Sequence, residues 1–244
     1  MEHEVILAVL FFVTAVLYSS VGQAGASGYL AVMALMGVAA TVMKPTALTL
    51  NILVATIAAI QFYRADHISW AETWPFLLAS VPLAFLGGVM NLPSRVFQIL
   101  VGVILLIAAA WSVAKTGQPT PSDRPRISAP AAVVSGGIIG WLAGLTGMGG
   151  GILLSPVLLL WGRRDPRRVA GTCSAFILLN SAAGLAGNLA SMRSLPPPIW
   201  MWSIAAVIGA VIGSELGSRK LAPKVMGYLL AAVLIVAGTK LILL

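Results

Sequence analysis

Two glycine-rich stretches hold the residues of this chain best suited to chemistry: Gly22-Gln23-Ala24-Gly25-Ala26-Ser27-Gly28 and Gly144-Leu145-Thr146-Gly147-Met148-Gly149-Gly150-Gly151. Each separates two apolar runs. Glycine admits positive φ and close approach to the backbone, so such a break forms a tight turn and presents the free N–H groups of the helix that follows. Those groups, with the positive end of the helix macrodipole, attract an anion without a charged side chain. Gln23, Gly25, Ser27, Gly28, Thr146, Gly147, Met148, Gly149 and Gly150 are therefore candidate substrate-binding residues. The competing reading is that glycines only let helices pack. We prefer it for the runs Gly136, Gly140, Gly144 and Gly209, Gly213, Gly217, which recur at four-residue spacing.

Polar side chains inside apolar runs are the second source of chemistry. One run carries Thr46, Thr49, Asn51, Thr56 and Gln61; another carries Thr172, Ser174, Asn180, Ser181 and Asn188. Ser174, Ser181 and Asn188 recur every seven residues and share a helix face. Neutral donors suit an anion that must also leave again, and Thr49, Asn51, Thr172 and Ser174 join the candidate set. Interhelical hydrogen bonding is the competing reading for such residues.

The charged residues are poor catalytic candidates. Lys44, Arg64 and Arg95 sit at segment ends, where snorkelling is the preferred reading, although Lys44 could also draw an anion toward the outer mouth. Glu215 beside Arg219 and Lys220 reads as an interfacial ion pair. Trp70, Trp74, Trp111, Trp141, Trp161, Trp200 and Trp202 mostly fall near segment ends, as interface anchors do. Cys173 reads as a small buried residue.

Gly25-Ala26-Ser27-Gly28 has the Gly-x-Ser-Gly form of an intramembrane serine hydrolase, but that chemistry needs a histidine base within reach. His3 is terminal, His67 lies in a loop beside Asp66, and Gly149 stands where a second Ser27 would be. We expect no enzyme, no metal and no cofactor; a phosphate-binding Gly-x-x-x-x-Gly-Lys-Ser/Thr loop is absent from the sequence.

These residues must be positioned by membrane helices. Of 244 residues, 59% are apolar and only 9% charged, and the mean hydropathy is +0.98. A soluble domain carries about 25% charged residues. The net charge of +8 comes from basic residues in short gaps between apolar runs, a topology signal rather than a nucleic-acid footprint. The acidic Met1-Glu2-His3-Glu4 reads as the start of a retained membrane segment, not a secretory signal.

Ten apolar segments follow, at 5–21, 28–43, 45–63, 73–91, 96–114, 129–146, 149–162, 169–190, 198–217 and 223–244. The segments 28–43 and 149–162 would rise only about 24 Å and about 21 Å, short of a ~30 Å hydrocarbon core, so they read as half-crossings beside about eight full spans. The Pro-rich stretch 115–128 cuts the chain into repeats 1–114 and 129–244. An offset of 122 places Gly22, Gly25 and Gly28 on Gly144, Gly147 and Gly150; an offset of 123 places Ala47 and Thr49 on Ala170 and Thr172. Later matches need offsets of 126 (Val81, Ala84, Gly87) and 129 (Val96, Leu105, Ala108), as loop insertions produce.

Five segments per half, an odd number, would turn the second half upside down. With both termini outside, the inner loops collect Arg64, Lys115, Arg124, Arg126, Arg163, Arg164, Arg167, Arg168, Arg219, Lys220 and Lys224. The outer loops hold only Lys44, Arg95 and Arg193. The expected fold is an all-α polytopic membrane protein built as an inverted-topology repeat, an architecture common in secondary transporters. In such a pair the breaks enter from opposite faces and meet near mid-membrane, with an anion between them.

The paired breaks, Ala-Gly-Thr-Cys-Ser at 170–174, and the Gly-Ala-x-x-Gly-x-x-x-Gly run at 209–217 followed by Arg219 resemble the TauE/SafE family of bacterial membrane proteins. Gly147-Met148-Gly149-Gly150-Gly151 followed by Pro156 is similar to that family's best-marked motif, and the likeness covers both halves. It implies export of sulfite or a small organosulfonate such as sulfoacetate across the bacterial inner membrane. The first break departs from the second, with Ser27 for Gly149 and Tyr29 for Gly151. A non-transporting membrane subunit of a larger complex is the alternative. The expected partners are the small anion and the lipid bilayer, with no nucleic acid; a homodimer is left open.

Overall fold

The structure is a computed structural model that describes residues 2–20, 23–115, 127–160, 166–191, 199–219, 234–236 and 238–243. Gly22, most of the Pro-rich linker, the arginines at 163 and 164, Trp161, Arg193 and Lys220 to Val225 fall outside them. The described residues are all helical or in short connections: α1 (Glu2–Ser19), α2 (Ala26–Leu35), α3 (Ala40–Arg64), α4 (Trp70–Val89), α5 (Ser94–Lys115), α6 (Ala129–Thr146), α7 (Gly151–Leu160), α8 (Pro166–Ala190) and α9 (Ile199–Arg219). Residues 234–236 and 238–243 are helical as well. Helices dominate because a backbone with no water around it must satisfy its own N–H and C=O groups within the segment.

Five helices, α3, α4, α5, α6 and α8, are long and apolar enough to cross a membrane. α1 and α9 offer shorter apolar stretches, His3–Ser19 and Ile199–Glu215. With 10 residues each, α2 and α7 rise only about 15 Å, half of a hydrocarbon core.

One expected boundary is wrong. The second and third segments do not part at Lys44-Pro45 but at Met36 to Ala39, where Gly37 has φ of 70°. Lys44 and Pro45 belong to the first turns of α3, where Pro45 omits a single helix bond, the one to Thr41.

Glycines set the helix contacts. A Cβ built on Gly136, Gly140 or Gly144 of α6 would collide with the carbonyls of Phe76, Ser80 and Ala84 on α4. On α9, Gly209 and Gly213 meet Phe12 and Val16 of α1 in the same way; Gly88 of α4 meets Gly184 of α8, and Gly102 of α5 meets Gly238. α3 and α8 cross along their length, α2 lies on α3, and α7 lies on α8. Trp202 departs from the anchor reading. It is buried against Phe11, ring centroids 5.5 Å apart, and its Nε1 donates to the Glu4 carbonyl at 3.2 Å. Trp70, Trp74, Trp141 and Trp200 are exposed.

Candidate functional site at the two helix breaks

The second break reverses the chain between α6 and α7 in four residues. Gly147 caps α6 at φ 81°, with its N–H on the Ala143 carbonyl at 2.8 Å, and Gly149 and Gly150 follow at φ 67° and 82°. Three left-handed residues so close together are tolerable only to glycine. The Thr146 hydroxyl donates to Leu142 O at 2.6 Å and accepts the Met148 N–H at 3.4 Å, so this side chain holds the turn.

The turn is seated on its neighbours. A Cβ on Gly149 would lie 2.7 Å from Asn51 Nδ2, 2.8 Å from Ser181 Oγ and 2.9 Å from Ile177. Asn51 Nδ2 itself donates to Ser181 Oγ at 3.3 Å, while Asn51 Oδ1 is buried and finds no partner among the described residues. Asn51 is near the middle of the 25-residue α3, and Ser181 is near the middle of the 25-residue α8. The break therefore ends at mid-depth of the two longest helices. Met148 is buried in the main core together with Ala24, Ala26, Tyr29 and Ile177.

In the first break, the Gln23 N–H donates to Tyr18 O at 2.9 Å and Gly25, at φ 98°, stands as the N-cap of α2 with no side-chain cap. The Tyr29 N–H closes the first helical turn onto Gly25 O at 2.9 Å. By helix geometry the N–H groups of Ala26, Ser27 and Gly28 have no acceptor within the helix. Ser27 Oγ donates to Tyr18 OH at 2.8 Å, and the absence of a Cβ at Gly28 admits Thr14 and the Tyr18 ring.

Gln23 links the two breaks. Its Nε2 donates to Ser155 Oγ of α7 at 3.1 Å; Ser155 Oγ in turn donates to Gly151 O at 2.9 Å and lies 3.3 Å from Cys173 Sγ of α8. Gly149 rests at Ser181 and Ile177, while Gln23 reaches, through Ser155, the level of Cys173. The breaks thus straddle the middle of α8, and residues 24–34 and 143–151 are buried throughout.

The other candidates are not gathered there. Thr49 is half-buried with its hydroxyl on its own helix, at Pro45 O, 2.9 Å; Ser174 likewise donates to Gly171 O at 2.8 Å; Thr172 is buried. Asn51–Ser181 and Leu48–Gly184 fix α3 and α8 as antiparallel. That register puts Thr49 and Thr172 about 16 Å apart along the pair.

Lys44 is not a snorkelling residue. It is buried, and its ammonium donates to three carbonyls at the C-terminal end of α4: Gly87 at 3.0 Å, Gly88 at 2.9 Å and Met90 at 3.2 Å. A cation at the negative end of a helix is favourably placed, and burial strengthens the attraction. Its backbone also supports the second break, since a Cβ on Gly147 would lie 3.0 Å from Lys44 O. A cleft lined by Thr41, Lys44, Asn91, Ser94 and Leu145 opens beside it. Sequence reasoning also passed over Tyr18, Tyr29 and Ser155. Tyr29 and Ser155 each stand four residues after a break glycine, Gly25 and Gly151, and that spacing is the signal that would have found them.

The hydrolase geometry is not assembled by Ser27 and His67. The Ser27 hydroxyl is engaged by Tyr18, and the His67 carbonyl backs onto Gly171 at the start of α8.

The family model described as sulfite exporter TauE/SafE matches residues 6–241. A probable membrane transporter protein of Sinorhizobium fredii is 39% identical over 246 residues, covering 99% of this chain and all of the relative. One from Methanocaldococcus jannaschii is 25% identical over 201 residues, 77% of this chain and 73% of the relative. One from Bacillus subtilis is 32% identical over 108 residues, 43% of this chain and 38% of the relative. No solved structure matches the chain.

Proposed function

The chain belongs to the TauE/SafE family of multi-pass membrane transporters, and from that premise we propose that it exports a small sulfur oxyanion or organosulfonate, such as sulfite or sulfoacetate, across the bacterial inner membrane. The anion binds near mid-membrane between the two breaks. The observation that carries this reading is that the two breaks straddle the middle of α8 and are joined by Gln23 and Ser155, with the uncapped N-terminus of α2 among them. The backbone N–H groups at the start of α2 and the second N–H of each of the Gln23 and Asn51 amides are neutral donors matched to several acceptor oxygens, and the Ser27 and Ser155 hydroxyls, which donate to Tyr18 and Gly151, hold the two turns in place.

The halves form an inverted repeat with both termini outside. The packing supports the repeat, and the loop charges support the side of the termini: α1 lies on α9 as α6 lies on α4, α3 lies on α8, and α5 meets the helical residues 238–243 at Gly102 and Gly238. Exchanging the halves maps this set of pairs onto itself. Both breaks are buried in this conformation, so the anion reaches them when the halves rock apart, and a membrane potential negative inside favours its exit.

Counterflow in proteoliposomes tests the reading. Saturable exchange of sulfite or sulfoacetate, with taurine as the zwitterionic control, is the expected result. An absence of saturable flux for every anion would replace transport of this cargo with the alternative, a non-transporting subunit of a larger complex.

A further inference from the structure

The Tyr29 hydroxyl is buried, with the residue at 0% exposure, and has no hydrogen-bond partner among the described residues. Such a group is costly to leave unmade in an apolar interior, and an unpaired one calls for an explanation. Its position supplies one. Side chains on a helix tilt toward the N-terminus, so the long Tyr29 ring, one turn into α2, folds back over the helix start. The ring tip and hydroxyl lie 3.1 Å from where a Gly25 Cβ would be, at the uncapped N-cap of a 10-residue helix. Phe11 holds the ring edge-on, centroids 5.5 Å apart and planes at 83°. The Tyr18–Ser27 hydroxyl pair closes the other side of the same turn.

We propose that the Tyr29 hydroxyl and the free N–H groups of α2 form a single donor set for the oxygens of a singly charged oxyanion group, hydrogensulfite or the sulfonate end of a longer anion, which makes Tyr29 a substrate-binding and specificity-determining residue. This rests on the anion-site reading above and names the ligand class for its first half. Residues 23–29 contain no charged side chain, and a helix start offers about half a positive charge. A group with one negative charge is about half compensated there, whereas a doubly charged group such as sulfate leaves about three times that excess in a dry site. The aromatic edges of Tyr18, Tyr29 and Phe11 suit the carbon substituent of an organosulfonate. Sulfate has no such part.

Tyr29→Phe tests this with a change of one oxygen atom. The ring, its contact with Phe11 and its packing on Gly25 are retained, so a purely structural hydroxyl predicts unchanged binding. Titration of methanesulfonate and of sulfate into the purified full-length protein in detergent, by calorimetry or thermal shift, gives the readout. The expected result is methanesulfonate binding to wild type but not sulfate, about tenfold weaker methanesulfonate affinity in the variant, and an unliganded Tm equal to or above wild type. Equal affinity in both proteins, within about twofold, overturns the role of Tyr29 and leaves the anion site standing. Tighter binding of sulfate overturns the monoanion assignment. A wild-type protein that binds neither anion overturns the anion-site reading and this inference with it.

Discussion

In the break between α1 and α2 the polar atoms belong to the turn itself: Gln23, Ser27 and Tyr29 crowd around one left-handed glycine, Gly25. In the break between α6 and α7 the turn spends three positions on left-handed glycines, 147, 149 and 150, and its polar surroundings come from elsewhere, Asn51 from α3 and Ser181 from α8. Similar reversals on either side of the middle of α8 thus divide the work. The first carries donors; the second carries shape, a backbone thin enough to seat on two packed helices.

Gly149→Ala attacks the second break where it is tightest and is expected to have the largest effect. A left-handed alanine costs ~1–2 kcal/mol, and forcing its methyl onto Asn51 and Ser181 adds ~1–3 kcal/mol. Gly37→Ala is the control, because Gly37 has φ of 70° but nothing within 4 Å of its Cβ position; it should lose only the first part, ~1–2 kcal/mol. Denaturation of both variants in mild detergent measures the difference. Equal losses would mean that seating on α3 and α8 contributes nothing.

The halves also treat one sequence position differently. By the offset of 123, Lys44 falls on Arg167, yet Lys44 is buried on three α4 carbonyls and Arg167 is exposed. Lys44→Met keeps the length of the chain and strands those acceptors, a loss of at least about 2 kcal/mol. Lys44→Arg should not restore it, since a planar fork cannot replace a compact ammonium among three carbonyls. Arg167→Met should change stability by less than about 1 kcal/mol. A Lys44→Met protein as stable as wild type would show that the carbonyls find other donors.

Much of this arrangement is legible in the sequence because glycine, proline and charge punctuate apolar runs: α6 occupies 129–146 as read, and each of the two short segments contains a helix of only 10 residues. What escapes has a common physical cause. A lysine beside a proline at the edge of an apolar run looks like an interface residue, and only the arrival of α4, more than forty residues later, converts it into a buried cap. Tyr29 looks like one more aromatic in a greasy segment until helix geometry folds it over Gly25. Trp202 is an anchor by sequence and a core residue by its contact with α1. Partners distant along the chain decide each case, and local pattern carries no record of them.

The link between the breaks is a smaller and more exact probe. If Gln23 and Ser155 act as one contact, the double-mutant cycle of Gln23→Ala and Ser155→Ala should show coupling of about 0.5–1.5 kcal/mol in stability. Additive losses would separate the two breaks energetically, whatever their distance.

The smallest effect is expected at the threonines that the repeat duplicates. Duplication at matched positions suggests a shared site, but antiparallel packing of α3 on α8 sends matched positions in opposite directions from the crossing point. Only residues close to that point end up together. Asn51 and Ser181 do; Thr49 and Thr172 stand about 16 Å apart. The Thr49 hydroxyl is committed to Pro45 O, a bond that bends or trims its own helix rather than facing a ligand. Thr49→Val and Thr172→Val should each lower the counterflow rate, but by less than about twofold, against the about tenfold loss in affinity for Tyr29→Phe. A tenfold or larger drop in either valine variant would move the anion away from the breaks and toward the helix ends.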